Sequence, residues 1–311
     1  MKVFDAGAVH AALPWDYLIE ALVRAHRGPM PLSDVIVQQD PNHSGNQFIT
    51  LPGWAPGGPI AVKMVGVFPG NERLLPPQPN VQGLVALFDG KTGAPVLVAD
   101  GAAMTARKTA GDSALAASFL AREDAETLLV VGAGALAPYV ARAHMVARPS
   151  LVRVLIWNRT ASKAEELAGD LRQDDIDATA VTDLDAAVAI ADVITCVTMS
   201  DRTLVRGSLL RPGVHLDLVG AYAPNLRETD DEAFKRARIF VDTRQNMENT
   251  GDLGPALRSG LISPDTIVGD LFDLTQGRVK GRTSAEEITI FKNVGGAHLD
   301  VFTAIALNNV A

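Results

Sequence analysis

TLLVVGAGALAPYVAR, residues 127–142, is the stretch on which the reading of this chain turns. Leu128, Leu129, Val130 and Val131 form an apolar run that leads into Gly132, Gly134 and Ala137. A helical apolar pattern follows from Leu136 through Val140 and Ala143. A strand, then Gly-x-Gly-x-x-Ala, then a helix is the form of a dinucleotide-binding turn. The first glycine permits the tight turn. The second lets the backbone approach a pyrophosphate, and the small third residue lets helix and strand pack closely. The free N–H groups of the helix N-terminus suit phosphate oxygens. Glycine turns also occur in α/β units that bind nothing, so the motif draws its weight from the strand and helix around it. Gly132, Gly134, Ala135 and Leu136 are the cofactor contacts it predicts.

Downstream, VRVLIWN (152–158), ATAVT (178–182), DVITCVT (192–198), HLDLVG (215–220) and RIFVDT (238–243) read as strands. Helices are expected over 162–173, 184–191 and 230–236. This alternation predicts a Rossmann-type α/β fold, a doubly wound parallel sheet with helices on both faces. The last apolar segment, EITIFKNVGGAHLDVFTAIALNN (287–309), reads as helical. Upstream, residues 5–27 read as helix, with Pro14 a break or a start. Between residues 30 and 100, short apolar runs alternate with Gly/Pro turns, which predicts a β-rich α+β region. Gly90-Lys91-Thr92-Gly93 is its clearest hairpin turn, and a helix is expected from near Thr105 to about Arg122.

The bulk numbers set the frame. A chain of 311 residues with 47% hydrophobic residues is long enough for two domains with real cores. A net charge of −8 and the lack of a basic cluster argue against a nucleic-acid surface. The single cysteine, Cys196, allows no disulfide within the chain and sits in an apolar strand, as a buried inert thiol would. The N-terminus lacks a signal-peptide layout, and no apolar run nears the ~18 residues of a membrane span. A soluble cytoplasmic protein without membrane contact is expected.

The end of the second Rossmann strand bears on the cofactor. NAD sites place an acidic residue there for the ribose hydroxyls. This chain has Asn158, followed by Arg159 and Thr160. No carboxylate repels a 2′-phosphate, and arginine can pair with one. NADPH (NADP) is therefore favoured over NAD. Val197 and Thr198, closing a later strand, join the expected cofactor contacts. Lys63 interrupts the apolar run 60–67, where it could hold a substrate carboxylate or move a proton, or simply face solvent. Arg107-Lys108, beside Thr105 and Thr109, could hold a carboxylate or a phosphate. The histidines show no metal-ligand spacing, so no metal is expected. His215 and Asp217 read as core or sheet-end residues, and Asp242 and Asp252 as turn or cap carboxylates.

Taken together, AVKMVGVFPGN, VQGLVALFDGKTGAPVLVADG, MTARKTAG, VVGAGALA, VLIWNRT, VGAYAPNLRETDDE, GDL and ITIFKNVGG resemble the ornithine cyclodeaminase/mu-crystallin family, in family order along nearly the whole chain. The resemblance implies a Rossmann domain, residues 116–291, and a β-rich substrate and dimerisation domain, residues 1–115 with 292–311, and so a homodimer. It implies a small imino or amino acid substrate, with Lys63 at its carboxylate and in proton relay, and Thr109 beside the cofactor phosphates. Asn158-Arg159-Thr160 looks like the NADPH-binding sequence of the family's ketimine reductases.

Three positions depart from the pattern. The arginine expected before Thr109 is Lys108, with Arg107 one place earlier. A second carboxylate-binding arginine, expected soon after Pro31, is replaced by Ser33. Where cyclodeaminases carry an aspartate, this chain carries Tyr222, which cannot act as a base at neutral pH without a large pKa shift. The expected activity is thus reduction of a small cyclic imino acid, a pyrroline- or piperideine-2-carboxylate. Lys63 and Lys108 are the expected catalytic residues, and Arg107 and Tyr222 join them at the substrate. Ornithine cyclodeamination with retained NAD, an alanine-type dehydrogenase, and a non-catalytic NADPH-binding protein stand as alternatives.

Overall fold

A computed structural model describes residues 1–310. The chain divides into two compact units, one formed by Met1–Lys108 with the residues from Gly296 onward, the other by Thr109–Gly295.

The first unit opens with β1 (Lys2–Phe4), α1 (Ala6–Ala12) and α2 (Trp15–His26). Pro14 separates the helices and stands at the N-cap of the second, where its missing N–H costs nothing. Then come β2 (Leu32–Ser33), β3 (Ile36–Gln39), β4 (Gln47–Trp54), β5 (Ile60–Val67), β6 (Val81–Phe88) and β7 (Pro95–Asp100). They form a sheet in the order β1-β7-β6-β5-β4-β2, with β3 also on β4. The β6–β7 hairpin turns where the sequence places it. Asp89 Oδ1 accepts from the N–H groups of Lys91 and Thr92, and Gly93 takes a φ of 71°. Helix α3 (Gly101–Leu120) starts earlier than the expected Thr105. Asp100 Oδ1 accepts from Ala103 N at 2.8 Å and so caps the first turn. A Cβ on Gly101 would lie 2.6 Å from the Gly83 carbonyl, so glycine lets the helix begin against the sheet.

The second unit contains β8 (Thr127–Val131), α4 (Ala137–Ala147), β9 (Arg153–Trp157), α5 (Ala161–Arg172), β10 (Ala178–Val181), α6 (Leu184–Ile190), β11 (Val193–Cys196) and β12 (His215–Leu218). It continues with α7 (Asp231–Arg236), β13 (Ala237–Val241), α8 (Leu253–Arg258), β14 (Ile267–Asp270), α9 (Leu271–Thr275) and β15 (Ile288–Lys292). The sheet order is β10-β9-β8-β11-β12-β15-β13-β14, and every pairing is parallel. Separate apolar clusters cover its two faces, one around Leu129, Ile194 and Leu216, the other around Leu128, Val130 and Ile156.

The expectation of one helix over 287–309 fails at its front. Residues 288–292 form β15, inserted between β12 and β13 and buried throughout. A short apolar run buried on both faces has the same polarity pattern in a strand and in a core helix. The β-branched Ile288, Thr289 and Ile290 favour the strand. Gly295, at φ 85°, precedes the true helix, α10 (Ala297–Val310). This helix belongs to the first unit. Val301 packs so closely on Gly53 of β4 that a Cβ there would lie 2.4 Å from it, and Tyr17 Oη donates to the Ala306 carbonyl at 2.9 Å. Among the described residues no helix is long and apolar enough to cross a membrane.

Candidate active site

In the second unit, the glycine turn joins β8 to α4. Gly132 takes a φ of 114°, and a Cβ there would lie 2.9 Å from the Val197 carbonyl, so both conformation and space require glycine. Gly134 differs, because a Cβ there would meet no atom of the chain within 4 Å. The fold itself does not need glycine at that position, whereas a phosphate lying on the backbone would. Ala137 is fully buried, as close helix–strand packing demands. Asn158, after β9, braces the turn. Its Oδ1 accepts from Ala133 N at 3.2 Å, and its Nδ2 donates to the Thr160 carbonyl at 2.9 Å. Arg159 and Thr160 are exposed. These residues fit a dinucleotide with its pyrophosphate at the turn and its adenosine ribose beside β9.

In a dinucleotide bound at this turn the other half would extend past β8 towards the carboxyl ends of β11 and β12, the next strands in the sheet. Val197 and Thr198 follow β11, and the Gly220–Ala221–Tyr222 segment follows β12. Tyr222 is 64% exposed. Thr109, in α3, is half-buried, and its carbonyl accepts from Asn293 Nδ2 at 3.5 Å. Cys196 is buried, and burial pushes its thiol pKa up, away from nucleophilic use.

In the first unit, Lys63 lies at the centre of β5, opposite Leu51 and Val85. Strand alternation sets it on the same side as the buried Ala61 and Val65. Its Nζ donates to Thr105 Oγ1 at 2.8 Å and lies 3.9 Å from Asp300 Oδ1. Lys108 Nζ meets the other oxygen of Asp300 at 2.8 Å. Two lysines thus share one buried carboxylate. Burial, with the Lys108 charge adding to it, draws the Lys63 pKa down to about 8, against the pull of Asp300. A lysine of that kind can hold or release a proton close to neutral pH.

Arg107 is engaged differently. Its guanidinium donates to His10 Nδ1 and to the His10 carbonyl, and stacks 4.1 Å above the Trp15 ring. It ties α3 to α1 and α2, whereas Lys63 and Lys108 meet at Asp300. Ser33 is half-buried at the end of β2. Asp300 was not among the residues read from the sequence. A lone acid inside the apolar run of the last helix was the available signal. His215 and Asp217 are core residues. The Asp217 carboxylate accepts from Ser113 and Thr195, and His215 Nδ1 meets Thr289 Oγ1. Asp242 closes the turn after β15, accepting from Val294 N and Gly295 N at 2.8 Å. Among the described residues no cluster of His, Cys, Asp and Glu is arranged to hold a metal ion.

A wholly parallel sheet with helices between its strands and a braced glycine turn after β8 defines a Rossmann-type dinucleotide-binding protein. Residues 9–310 match the sequence profile of the ornithine cyclodeaminase/mu-crystallin family, and the chain belongs to that family. It is 38% identical to Protein SAR DEFICIENT 4 of Arabidopsis thaliana, over 84% of this chain and 82% of that one. It is 37% identical to the Delta(1)-pyrroline-2-carboxylate reductase of Paracoccus denitrificans, over 96% of this chain and 93% of that one. Among solved structures, it superposes on the Delta(1)-pyrroline-2-carboxylate reductase of Thermococcus litoralis, in complex with NADH and L-proline, with a TM-score of 0.89 and 25% identity, covering 100% and 97% of the two chains.

Proposed function

We propose that this protein is an NAD(P)H-dependent reductase of a small cyclic imino acid, pyrroline- or piperideine-2-carboxylate, yielding the cyclic amino acid. Tyr222 carries the reading. A phenol, exposed after β12, stands at the position where the family resemblance puts the aspartate of the cyclodeaminases. Relatives named for pyrroline-2-carboxylate reduction support the same choice. When bound, the nicotinamide supplies hydride to the imine carbon. Lys63 holds the substrate carboxylate and presents an ammonium proton for the nitrogen. Lys108 adds a second positive charge, though without the bidentate fork of arginine. The first unit binds substrate and the second holds the cofactor, with the boundaries at Lys108/Thr109 and Gly295/Gly296 rather than at 115/116 and 291/292, because β15 through Lys292 belongs to the parallel sheet. Assays with each ring size should consume the reduced nicotinamide absorbance, and inactivity on both would remove the reading.

NADPH is the preferred cofactor in this proposal, because Asn158 leaves no acid at the ribose and Arg159 is free to meet a 2′-phosphate. Arg159→Ala is expected to raise the Kd for NADPH by roughly tenfold, as for loss of a charge-assisted contact of about 1.5 kcal/mol. The Kd for NADH should stay nearly constant. Equal effects on both nucleotides would overturn this preference. The protein is also proposed to be a homodimer through the sheet of its first unit, where Val3, Ile36, Val37, Phe48 and Val81 are exposed. Light scattering should give about twice the chain mass of 32.9 kDa, and a single-chain mass would exclude the dimer.

A further inference from the structure

Glu228 lies in the loop before α7 and is fully buried, yet it ties together both loops at the carboxyl ends of β11 and β12. Its Oε1 accepts from Thr198 N at 2.6 Å and from Thr198 Oγ1 at 2.8 Å. Its Oε2 accepts from Gly220 N at 2.9 Å and Ala221 N at 3.1 Å. The loops are in close contact, since a Cβ on Gly220 would lie 1.9 Å from the Thr198 carbonyl. Glu228 is itself held in place. Its N–H and that of Thr229 donate to Asp252 Oδ1 at 2.8 and 3.0 Å. Asp252 adopts φ 55° and ψ −72°, a strained conformation for a residue with a Cβ. A buried carboxylate and a strained neighbour are costly to keep. Here they converge on the loops that carry Thr198 and Tyr222.

We propose that Glu228 is a positioning residue for the nicotinamide half of the cofactor, fixing the two loops that receive it and doing so only as a carboxylate. The inference rests on the dinucleotide reading above. A protonated carboxyl carries its own O–H and cannot accept from all four donors. Proton uptake would therefore loosen the loops. Burial, with Asp252 adding to it, pushes the Glu228 pKa up to about 7 against the opposing charge of Lys292. The groups around it are fixed. Lys292, on β15, donates to the Leu218 carbonyl at 3.1 Å. Asp217, on β12, is turned to Ser113 and Thr195, and Cys196, on β11, has a raised pKa. Arg227, next in the chain, pairs with Asp231. Binding that needs the charged form expels a proton, so nicotinamide affinity rises with pH through about 7.

The test compares a whole cofactor with its fragment lacking nicotinamide, NADPH against 2′-phospho-ADP-ribose and NADH against ADP-ribose, with calorimetry giving each Kd. The 2′-phosphate titrates in both members of its pair and cancels in their ratio. Glu228→Gln should weaken the whole dinucleotide by roughly tenfold or more, as for lost hydrogen bonds to a charged group. The fragment should change by less than about twofold, a spread comparable to that of independent sites. Wild-type protein needs no variant for the second arm. Between pH 7.5 and pH 6 its affinity for the whole cofactor should fall several-fold relative to the fragment. Parallel loss of both ligands in Glu228→Gln, or a ratio constant with pH, would overturn the role of Glu228 and leave the dinucleotide reading intact. Failure to bind any of the four ligands would overturn both.

Discussion

Lys63→Met should lower kcat/KM for pyrroline-2-carboxylate by about 10²- to 10⁴-fold, the usual range for a positioned proton donor. The Kd for NADPH should hardly change. Methionine keeps the length and apolar stem that β5 needs between Leu51 and Val85, so the sheet should survive. The ammonium, which meets Thr105 at 2.8 Å, is lost. The wild-type pH profile gives the same residue a second signature. With its pKa drawn down to about 8, Lys63 is charged below that pH and neutral above it. The substrate carboxylate is ionised throughout, so kcat/KM should fall above about pH 8, approaching tenfold per unit. The loss should appear in KM through the missing carboxylate contact and in kcat through the missing proton donor. Lys63→Arg should move this alkaline limb beyond the accessible range, since guanidinium stays charged. An unchanged kcat/KM in Lys63→Met would remove Lys63 from the reaction.

The sequence was most legible where backbone chemistry restricts the choice of residue. Gly132 had to be glycine for a left-handed φ and for the approach of Val197, and these demands appear as a motif in one short stretch. The hairpin at Asp89–Gly93 was legible for the same reason, since its turn consumes an aspartate and a positive-φ glycine. Lys63 stood out because a charge in an apolar strand costs energy unless it is paired. Its partner did not stand out. Asp300 comes from the far end of the chain, and only the return of α10 onto β4–β6 brings it to Lys63. Burial of polar groups gives no periodic signal, so Glu228, just ahead of the helix expected over 230–236, carried no mark of its role. β15 was misjudged because polarity alone cannot separate a strand buried on both faces from a core helix. In each missed case the deciding contact is long-range.

Asp300→Asn and Lys108→Met should shift the alkaline limb set by Lys63 in opposite directions. In the wild type, Asp300 meets Lys108 at 2.8 Å and lies 3.9 Å from Lys63, with all three side chains largely out of solvent. The Lys63 pKa reflects burial and Lys108 lowering it and Asp300 raising it. Asparagine removes the raising charge and leaves two ammonium groups facing each other. Lys63 should then lose its proton more readily, and the limb should move below about pH 8. Breaking such a pair should also destabilise the fold, on the order of 3 kcal/mol, which thermal unfolding would register as a drop of several degrees. Partial deprotonation of one lysine would relieve some of that cost, so the drop should be smaller at pH 9 than at pH 7. Lys108→Met removes the like charge and leaves Asp300 to Lys63 alone, so the limb should move up. Lys108 also touches substrate in the proposed mechanism, and the maximum kcat/KM should fall in that variant. The position of the limb, not its height, therefore separates the electrostatic role from simple loss of binding. If both variants kept the wild-type limb, Lys63 would not be the group that titrates. If both moved it the same way, the shared carboxylate would not be what balances the two lysines.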